Sequence, residues 1–186
     1  GGGGGGAGGG GGGGGLPPPG GRLGGSRGGG FVGGGIVLKD GVVVATRWEP
    51  GRVVAFDAEE GARLWKQPLP QGVGAPPAIC GSAVVAVGIA GRVVSLELAT
   101  GRLNWAIQPF DGGASRAQRG YLLDRPWTLA APLCVGDMVC AVDATEIVCL
   151  DGATGERRWR HGVEGQSWPQ LASPSLWGET IVYPVG

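Results

Sequence analysis

The sequence predicts an all-β fold built from short antiparallel strands. Two observations support this prediction. The apolar runs are short, rich in β-branched residues and bounded by glycine, and none has the 3.6-residue periodicity of an amphipathic helix. In addition, one short motif recurs three times along the chain, which is typical of folds assembled from repeated sheets. We therefore predict strands throughout and no helix.

Composition divides the chain into two parts. Of its 43 glycines, 24 fall in residues 1–35, a Gly/Pro-rich tract that can bury too little apolar surface to offset its backbone entropy. We predict that this tract is disordered and that residues 36–186 form the folded body. Arg22 and Arg27 are the only charged residues of the tract, so the body holds 13 basic and 15 acidic residues. This balance argues against a nucleic-acid or membrane-surface binder.

Hydropathy gives a further exclusion. No apolar run approaches the roughly 18 residues that a membrane helix needs, and the longest candidate, 83–90, is interrupted by a glycine. The sequence therefore predicts no membrane span.

Three segments of the body align without gaps. Each contains an apolar residue, an acidic residue, three residues, a glycine, three more residues and a tryptophan. We call the conserved positions within this chain the repeat acid, the repeat glycine and the repeat tryptophan. The tryptophans are 40 and then 54 residues apart, so the second interval holds 14 extra residues. The three segments are 53–65, 93–105 and 147–159.

Each unit is predicted to contain four strands. A second apolar run precedes each motif, at 41–45, 81–87 and 136–142. Residues 178–183 begin a further copy. An alanine or serine with proline comes before the second and third of these runs and before the further copy, at 75–77, 131–132 and 173–174. The body therefore contains about three and a half units.

The last hairpin of each unit has a turn with defined chemistry. The repeat acid can accept hydrogen bonds from turn amides, and the repeat glycine can adopt the positive φ that a tight turn requires. Bulky and small side chains alternate in the preceding strand, as expected where sheets pack face to face. The repeat tryptophan is then expected to cover a neighbouring sheet. These positions are Asp57, Glu97 and Asp151; Gly61, Gly101 and Gly155; and Trp65, Trp105 and Trp159.

A repeat of about 40 residues with four antiparallel strands indicates a β-propeller blade. The motif closely resembles the blade repeat of the pyrroloquinoline-quinone-like (PQQ-like) propellers, the quinoprotein alcohol dehydrogenase-like superfamily. This resemblance covers residues 36–186 and implies that the repeat tryptophans dock between adjacent blades. Propellers usually need four to eight blades to close. We therefore expect a fragment of a longer protein, with assembly of several chains or a free half-ring as the alternatives.

The resemblance implies two classes of function. Dehydrogenase members typically have an adjacent cysteine pair at the quinone, an aspartate base and oxygen ligands for calcium; other members keep the blade without a cofactor. This sequence has no Cys-Cys pair, and its least constrained acids, Asp111, Asp124 and Glu164, lie in no catalytic motif. We predict a non-catalytic scaffold or interaction module without a cofactor, whose partners are proteins or peptides and the remaining blades. The alternative is part of a quinoprotein dehydrogenase for alcohols or sugars that binds PQQ and calcium.

The cysteines allow more than one interpretation. Cys140 and Cys149 are predicted to lie opposite each other on paired strands, either as buried thiols, which we favour, or as a disulfide. Cys80 and Cys134 occupy equivalent positions in two units, which indicates blade packing. His161, the only histidine, is expected on the surface after the fourth strand.

The 14 extra residues lie within segment 111–127. Long loops on rigid scaffolds often bind ligands, and guanidinium groups suit carboxylates and phosphates. The segment is interpreted either as an inter-blade loop without function or as a partner-binding loop. The candidate partner-binding residues are Arg116, Arg119, Tyr121, Arg125 and Trp127.

Overall fold

The computed structural model describes residue 1 and residues 34–110, 128–143, 146–162 and 172–183. The chain divides into two units, 1–30 and 31–186, and all the described strands lie in the second. The tract predicted to be disordered lies almost wholly outside the described residues.

The second unit consists of three four-stranded sheets and one two-stranded sheet, all antiparallel, in the order of the chain. Each sheet is a simple up-and-down meander, so blades 1, 2 and 3 are complete and blade 4 is represented by its first hairpin. The strands of blade 1 are β1 (Ile36–Lys39), β2 (Val42–Arg47), β3 (Arg52–Asp57) and β4 (Arg63–Pro68). Those of blade 2 are β5 (Ala78–Cys80), β6 (Ala83–Val87), β7 (Val93–Glu97) and β8 (Leu103–Ile107). Those of blade 3 are β9 (Leu133–Val135), β10 (Met138–Val142), β11 (Glu146–Asp151) and β12 (Arg157–Gly162), and those of blade 4 are β13 (Ser175–Trp177) and β14 (Thr180–Val182).

The predicted fold class is confirmed. The described residues form strands and no helix, and the sheets have the four-stranded antiparallel order of an open, partial propeller. No helix long and apolar enough to cross a membrane occurs in this described part of the chain.

The apolar cores lie between the blades. Side chains of β2 and β3, such as Val44 and Val53, pack against Val84 and Leu96 of blade 2. The other face of blade 2 packs against blade 3, and blade 3 in turn contacts Ile181 of blade 4. Both faces of blade 2 are therefore covered by apolar packing.

The first strands of successive blades lie side by side. Strand β5 contacts both β1 and β9, and β9 contacts β13. The blades are therefore aligned along one inner edge formed by their first strands, while the fourth strands, which contain the repeat tryptophans, form the outer edge.

Candidate functional site

The turn that contains the repeat motif has the same backbone hydrogen bond in all three blades. In blade 1, Oδ1 of Asp57 accepts hydrogen bonds from the amides of Glu59 at 2.9 Å and Glu60 at 2.8 Å. The repeat glycine closes the turn by donating to the carbonyl oxygen of the repeat acid, with φ values of 66°, 72° and 77° in blades 1, 2 and 3. The acid and the glycine thus satisfy the turn locally.

Blade 2 uses a longer acid in the same turn. Oε2 of Glu97 accepts a 2.6 Å hydrogen bond from the hydroxyl of Thr100, which in turn accepts one from the amide of Arg102 at 3.2 Å. The Thr100 hydroxyl is the main reason that the pKa of Glu97 is below its usual value. The Glu97 carboxylate therefore contacts the turn through the Thr100 hydroxyl, whereas Asp57 and Asp151 accept hydrogen bonds from the turn amides directly.

Blade 3 adds an ion pair to the turn. Arg158 donates to Asp151 at 2.6 Å and also to Asp137 at 2.5 Å. The hydrogen bond from Arg158, followed by those from the Thr154 and Ala153 amides and the Thr154 hydroxyl, lowers the pKa of Asp151 to about 2. The same two carboxylates raise the pKa of Arg158.

Asp151 should make unfolding pH-dependent below pH 4. Because its pKa in the folded chain is about 2, lower than that of an ordinary aspartate, its stabilising contribution is present above about pH 4 and is lost as the pH falls towards 2. We expect Asp151→Asn, which keeps a turn acceptor, to flatten this part of the profile of melting temperature against pH.

The matched control is Glu60→Gln, at an exposed carboxylate in the equivalent turn of blade 1. Thermal unfolding followed at several pH values between 2 and 5 provides the measurement. Parallel profiles for the wild type and Asp151→Asn would contradict the assigned role of the ion pair.

Two of the three repeat tryptophans dock on the following blade. Trp65 and Trp105 are each 8% exposed. Nε1 of Trp65 donates to the Leu98 carbonyl oxygen at 2.7 Å, and Nε1 of Trp105 donates to that of Gly152 at 3.0 Å. In both cases the acceptor is the residue directly after the repeat acid of the next blade.

The repeat glycine also provides the surface on which the tryptophan of the preceding blade packs, a role that the sequence did not predict. A Cβ atom at Gly101 would lie 2.5 Å from Cε3 of Trp65, and one at Gly155 would lie 2.8 Å from Cδ2 of Trp105. Each indole therefore lies against the glycine of the next blade, where any side chain would clash. The motif thus specifies both the turn and the surface on which the preceding tryptophan packs.

Among the described residues, blades 3 and 1 each lack one of these contacts. Trp159 is 38% exposed and donates no indole hydrogen bond in the described part of the chain. At the other end, Gly61 is exposed and a Cβ atom there would meet nothing within 4 Å. Of the predicted repeat residues, the structure therefore brings together Trp65 with Gly101 and Trp105 with Gly155.

One face of blade 1 is not covered by another blade among the described residues, and it contains a groove of about 710 Å³. Its floor includes Val54 and Phe56, which are half-buried, and the exposed Ile36. The residues equivalent to Phe56 in the other two blades, Leu96 and Leu150, are fully buried by the preceding blade. We call this surface the open face of blade 1.

Cationic side chains surround the open face. Arg47, Arg52, Arg63 and Lys66 line the groove, and no acidic side chain of residues 34–110, 128–143, 146–162 or 172–183 does. Among the described residues, none of these four forms an ion pair with a carboxylate. In addition, Nε of Arg52 is buried without a hydrogen-bond partner there. The groove thus combines an apolar floor with unpaired positive charge.

The cysteines form two disulfides, which corrects the prediction of free thiols. Cys80, the last residue of β5, bonds to Cys134 of β9, with 5.5 Å between their Cα atoms. The prediction treated the two as separate packing residues because they lie in different repeats. In the structure the first strands of blades 2 and 3 are neighbours, and this brings both side chains together.

The second disulfide joins Cys140 and Cys149. Their predicted cross-strand pairing is confirmed, but their Cα atoms are only 4.0 Å apart, closer than typical cross-strand neighbours, and the sulfur atoms are bonded. Both residues are fully buried. The preference for thiols was wrong because it rested on the average spacing of such pairs.

His161 lies within β12, on the exposed surface, and not after that strand as predicted. Near the start of β11, Asp143 and Glu146 are both buried. Burial, followed by the charge of Asp143, raises the pKa of Glu146. Tyr183 donates to the Asp143 carbonyl oxygen at 3.0 Å and so links blade 4 to this turn.

The other candidate residues are not described. The partner-binding candidates Arg116, Arg119, Tyr121, Arg125 and Trp127 lie outside the described residues. The same is true of the less constrained acids Asp111, Asp124 and Glu164. Within the described ranges, no group of three or more His, Cys, Asp or Glu side chains is placed to hold a metal ion.

The chain resembles known proteins in sequence and in structure. Residues 16–167 match the PQQ_2 family model, described as outer membrane protein assembly factor BamB. The chain is also 31% identical over 139 residues to the serine/threonine-protein kinase AfsK of Streptomyces griseus, covering 70% of this chain and 16% of that protein.

Solved structures share the fold. BamB from Moraxella catarrhalis superposes with a TM-score of 0.59 at 22% identity, over 79% of this chain and 41% of that one. A quinohemoprotein alcohol dehydrogenase from Comamonas testosteroni gives 0.57 at 23% identity, over 70% and 21%. A europium-containing methanol dehydrogenase gives 0.59 at 18% identity, over 72% and 25%. Together with the docked repeat motif, the family match shows that the chain belongs to the PQQ-like β-propeller repeat family.

Proposed function

We propose that this chain is a non-catalytic PQQ-like propeller module that binds protein partners, and that the open face of blade 1 is its binding surface. The observation that carries the proposal is the groove on this face, where an apolar floor is surrounded by four cations without carboxylate partners among the described residues. Such a surface suits a protein segment with apolar and acidic side chains.

The side chains that a partner needs can be inferred from the contacts between blades 1 and 2 and between blades 2 and 3. At those junctions an indole packs on the repeat glycine and donates to the carbonyl oxygen after the repeat acid. The corresponding groups on the open face are Gly61 and the Ala58 carbonyl oxygen. A partner with one tryptophan at this point, and carboxylates near Arg63 and Lys66, would satisfy both features.

The test uses a synthetic peptide of alternating glutamate and valine with one central tryptophan, labelled for fluorescence anisotropy. We expect binding to the full chain that weakens with added salt. The double variant Arg63→Glu, Lys66→Glu should weaken binding by about tenfold or more, because each removed attraction becomes a repulsion.

The matched control is Arg92→Glu, Arg102→Glu, which reverses two exposed charges of blade 2 outside the groove. This control should bind like the wild type. Equal losses in both double variants would show that only net charge matters. No binding by any form would remove the open face as the partner site.

The alternative function is that of a quinoprotein dehydrogenase section, since two of the structural neighbours have that activity in their names. The four cysteines support the non-catalytic proposal instead, because neither disulfide joins adjacent residues. Addition of PQQ and calcium to the protein, with absorbance and dye-linked alcohol oxidation as readouts, tests this alternative. A quinone-dependent response would favour the enzyme over the binding module.

The similarity to a protein kinase supports a module attached to other domains. The match covers only 16% of that kinase. In this sequence no aspartate is followed by phenylalanine, and the only histidine, His161, is followed by Gly162, so the Asp-Phe-Gly and His-Arg-Asp kinase motifs are not among these residues. We therefore propose for these residues a binding role and not phosphoryl transfer.

A further inference from the structure

We propose that the Cys80–Cys134 disulfide is an exchange site for small thiols, whereas Cys140–Cys149 is closed to them. The two disulfides differ in burial. Cys80 and Cys134 are both half-buried, while Cys140 and Cys149 are both completely buried. Because thiol–disulfide exchange requires direct approach of a thiolate to a sulfur atom, access decides which bond reacts in the folded chain.

A cleft of about 400 Å³ leads to the first of these disulfides. It lies between blades 2 and 3, and Cys80 is one of its lining residues. Ser82, Asn104, Asp137 and Met138 line it as well. Its volume falls in the range of small-molecule sites. Cys140 and Cys149 do not line this cleft.

The charge of the cleft permits anionic thiols such as glutathione. Asp137 is the only charged residue that lines it in the described part of the chain, and the Asp137 carboxylate is paired with Arg158 through two hydrogen bonds of 3.0 and 2.5 Å. The attacking thiolate therefore meets a carboxylate whose charge is partly offset by Arg158, which Asp137 shares with Asp151.

Because Cys80 lines the cleft, its sulfur is the one that an entering thiolate attacks. A thiolate attacks Sγ of Cys80, a bond forms between the two sulfur atoms, and the Cys80–Cys134 bond breaks. The electron pair leaves with Sγ of Cys134, which then takes a proton from water. Cys80 is left as a mixed disulfide. Attack by a second thiolate on the sulfur of the bound thiol releases Cys80 as a thiolate and forms the small-molecule disulfide.

The junction remains packed when this bond opens. Trp105 stays docked through its hydrogen bond to Gly152 and its contact with Gly155, and the buried residues of the apolar cluster between blades 2 and 3 hold the two blades together, with Cys80 only at the margin of that cluster. Exchange at Cys80 therefore alters a covalent link between two blades without requiring the chain to unfold.

The test uses the full wild-type chain in glutathione buffers of increasing reducing strength, without denaturant. Samples are quenched with iodoacetamide and mapped by mass spectrometry. We expect a glutathione adduct on Cys80 and alkylation of Cys134, with Cys140 and Cys149 unlabelled. The rate should rise in proportion to the concentration of glutathione thiolate.

Two variants test whether the thiol reaches Cys80 through the cleft. Ser82 is an exposed turn residue of the cleft, so Ser82→Trp should block entry and slow exchange by about tenfold. The double variant Cys140→Ala, Cys149→Ala should leave the rate unchanged. Labelling of all four cysteines together, an adduct on Cys134 instead of Cys80, or four alkylated thiols before any reductant is added would each overturn the proposal.

Discussion

Replacing Cys80 and Cys134 together with alanine is expected to lower the free energy of unfolding by about 4 kcal/mol. The disulfide closes a loop with a sequence separation of 54 residues, and the chain-entropy model assigns roughly this value to a loop of that length. Urea unfolding followed by far-ultraviolet circular dichroism provides the measurement. A loss of this size is large against the roughly 5–15 kcal/mol that stabilises typical domains.

The second disulfide is the natural comparison. Cys140 and Cys149 are only nine residues apart, so the same model predicts a loss of roughly 2.5 kcal/mol for their double alanine variant. Small cavities add to both values, because alanine is smaller than half a disulfide. A loss at the nine-residue bridge that equals or exceeds the loss at the inter-blade bridge would contradict the loop-closure explanation.

Trp105→Ala is expected to cost about 3–5 kcal/mol of unfolding free energy, the usual range for a buried aromatic residue. Trp105 is 8% exposed and lies between blades 2 and 3, so its removal leaves a cavity on Gly155 and leaves the Gly152 carbonyl oxygen without its donor. Trp159→Ala, at the same repeat position but 38% exposed, should cost much less. Denaturant unfolding of both variants gives the comparison.

Two further substitutions separate the contributions at this junction. Trp105→Phe keeps much of the ring but removes the hydrogen bond to Gly152, so we expect a loss of about 1 kcal/mol from that bond, in addition to the loss of ring volume. Gly155→Ala and Gly61→Ala both place a side chain at positive φ, but only the former meets an indole. Equal losses at Gly155 and Gly61, or at Trp105 and Trp159, would refute tryptophan docking as the source of stability.

The local parts of this fold could be predicted because the motif determines them over a few residues. Asp57 and Asp151 accept the turn amides, and the repeat glycines adopt positive φ, as their residue types indicated. The strand pairing of Cys140 with Cys149 followed from the short connection between their strands. Each of these features depends on neighbours in the sequence.

The remaining features depend on contacts between repeats, and therefore the sequence pattern did not reveal them. Cys80 and Cys134 meet only because the first strands of two blades are adjacent. The family resemblance implied that Trp65 docks on a neighbouring blade, but the sequence did not indicate that Gly101 is the residue on which it packs. The sequence did contain a signal for this contact, since a glycine and a tryptophan recur at one fixed spacing. A contact between the tryptophan of one copy and the glycine of the next would explain why both recur.

Because the apolar clusters lie between sheets, each blade is stabilised mainly by its two neighbours, and the molecule resembles a short row of coupled units. Blade 2 has a complete blade on either side, whereas blade 1 has one neighbour among the described residues. Backbone amides of β6 and β7 should thus exchange their hydrogens most slowly, and those of blade 1 should exchange faster. A ligand that covers blade 1 would then extend this protection to the end of the row.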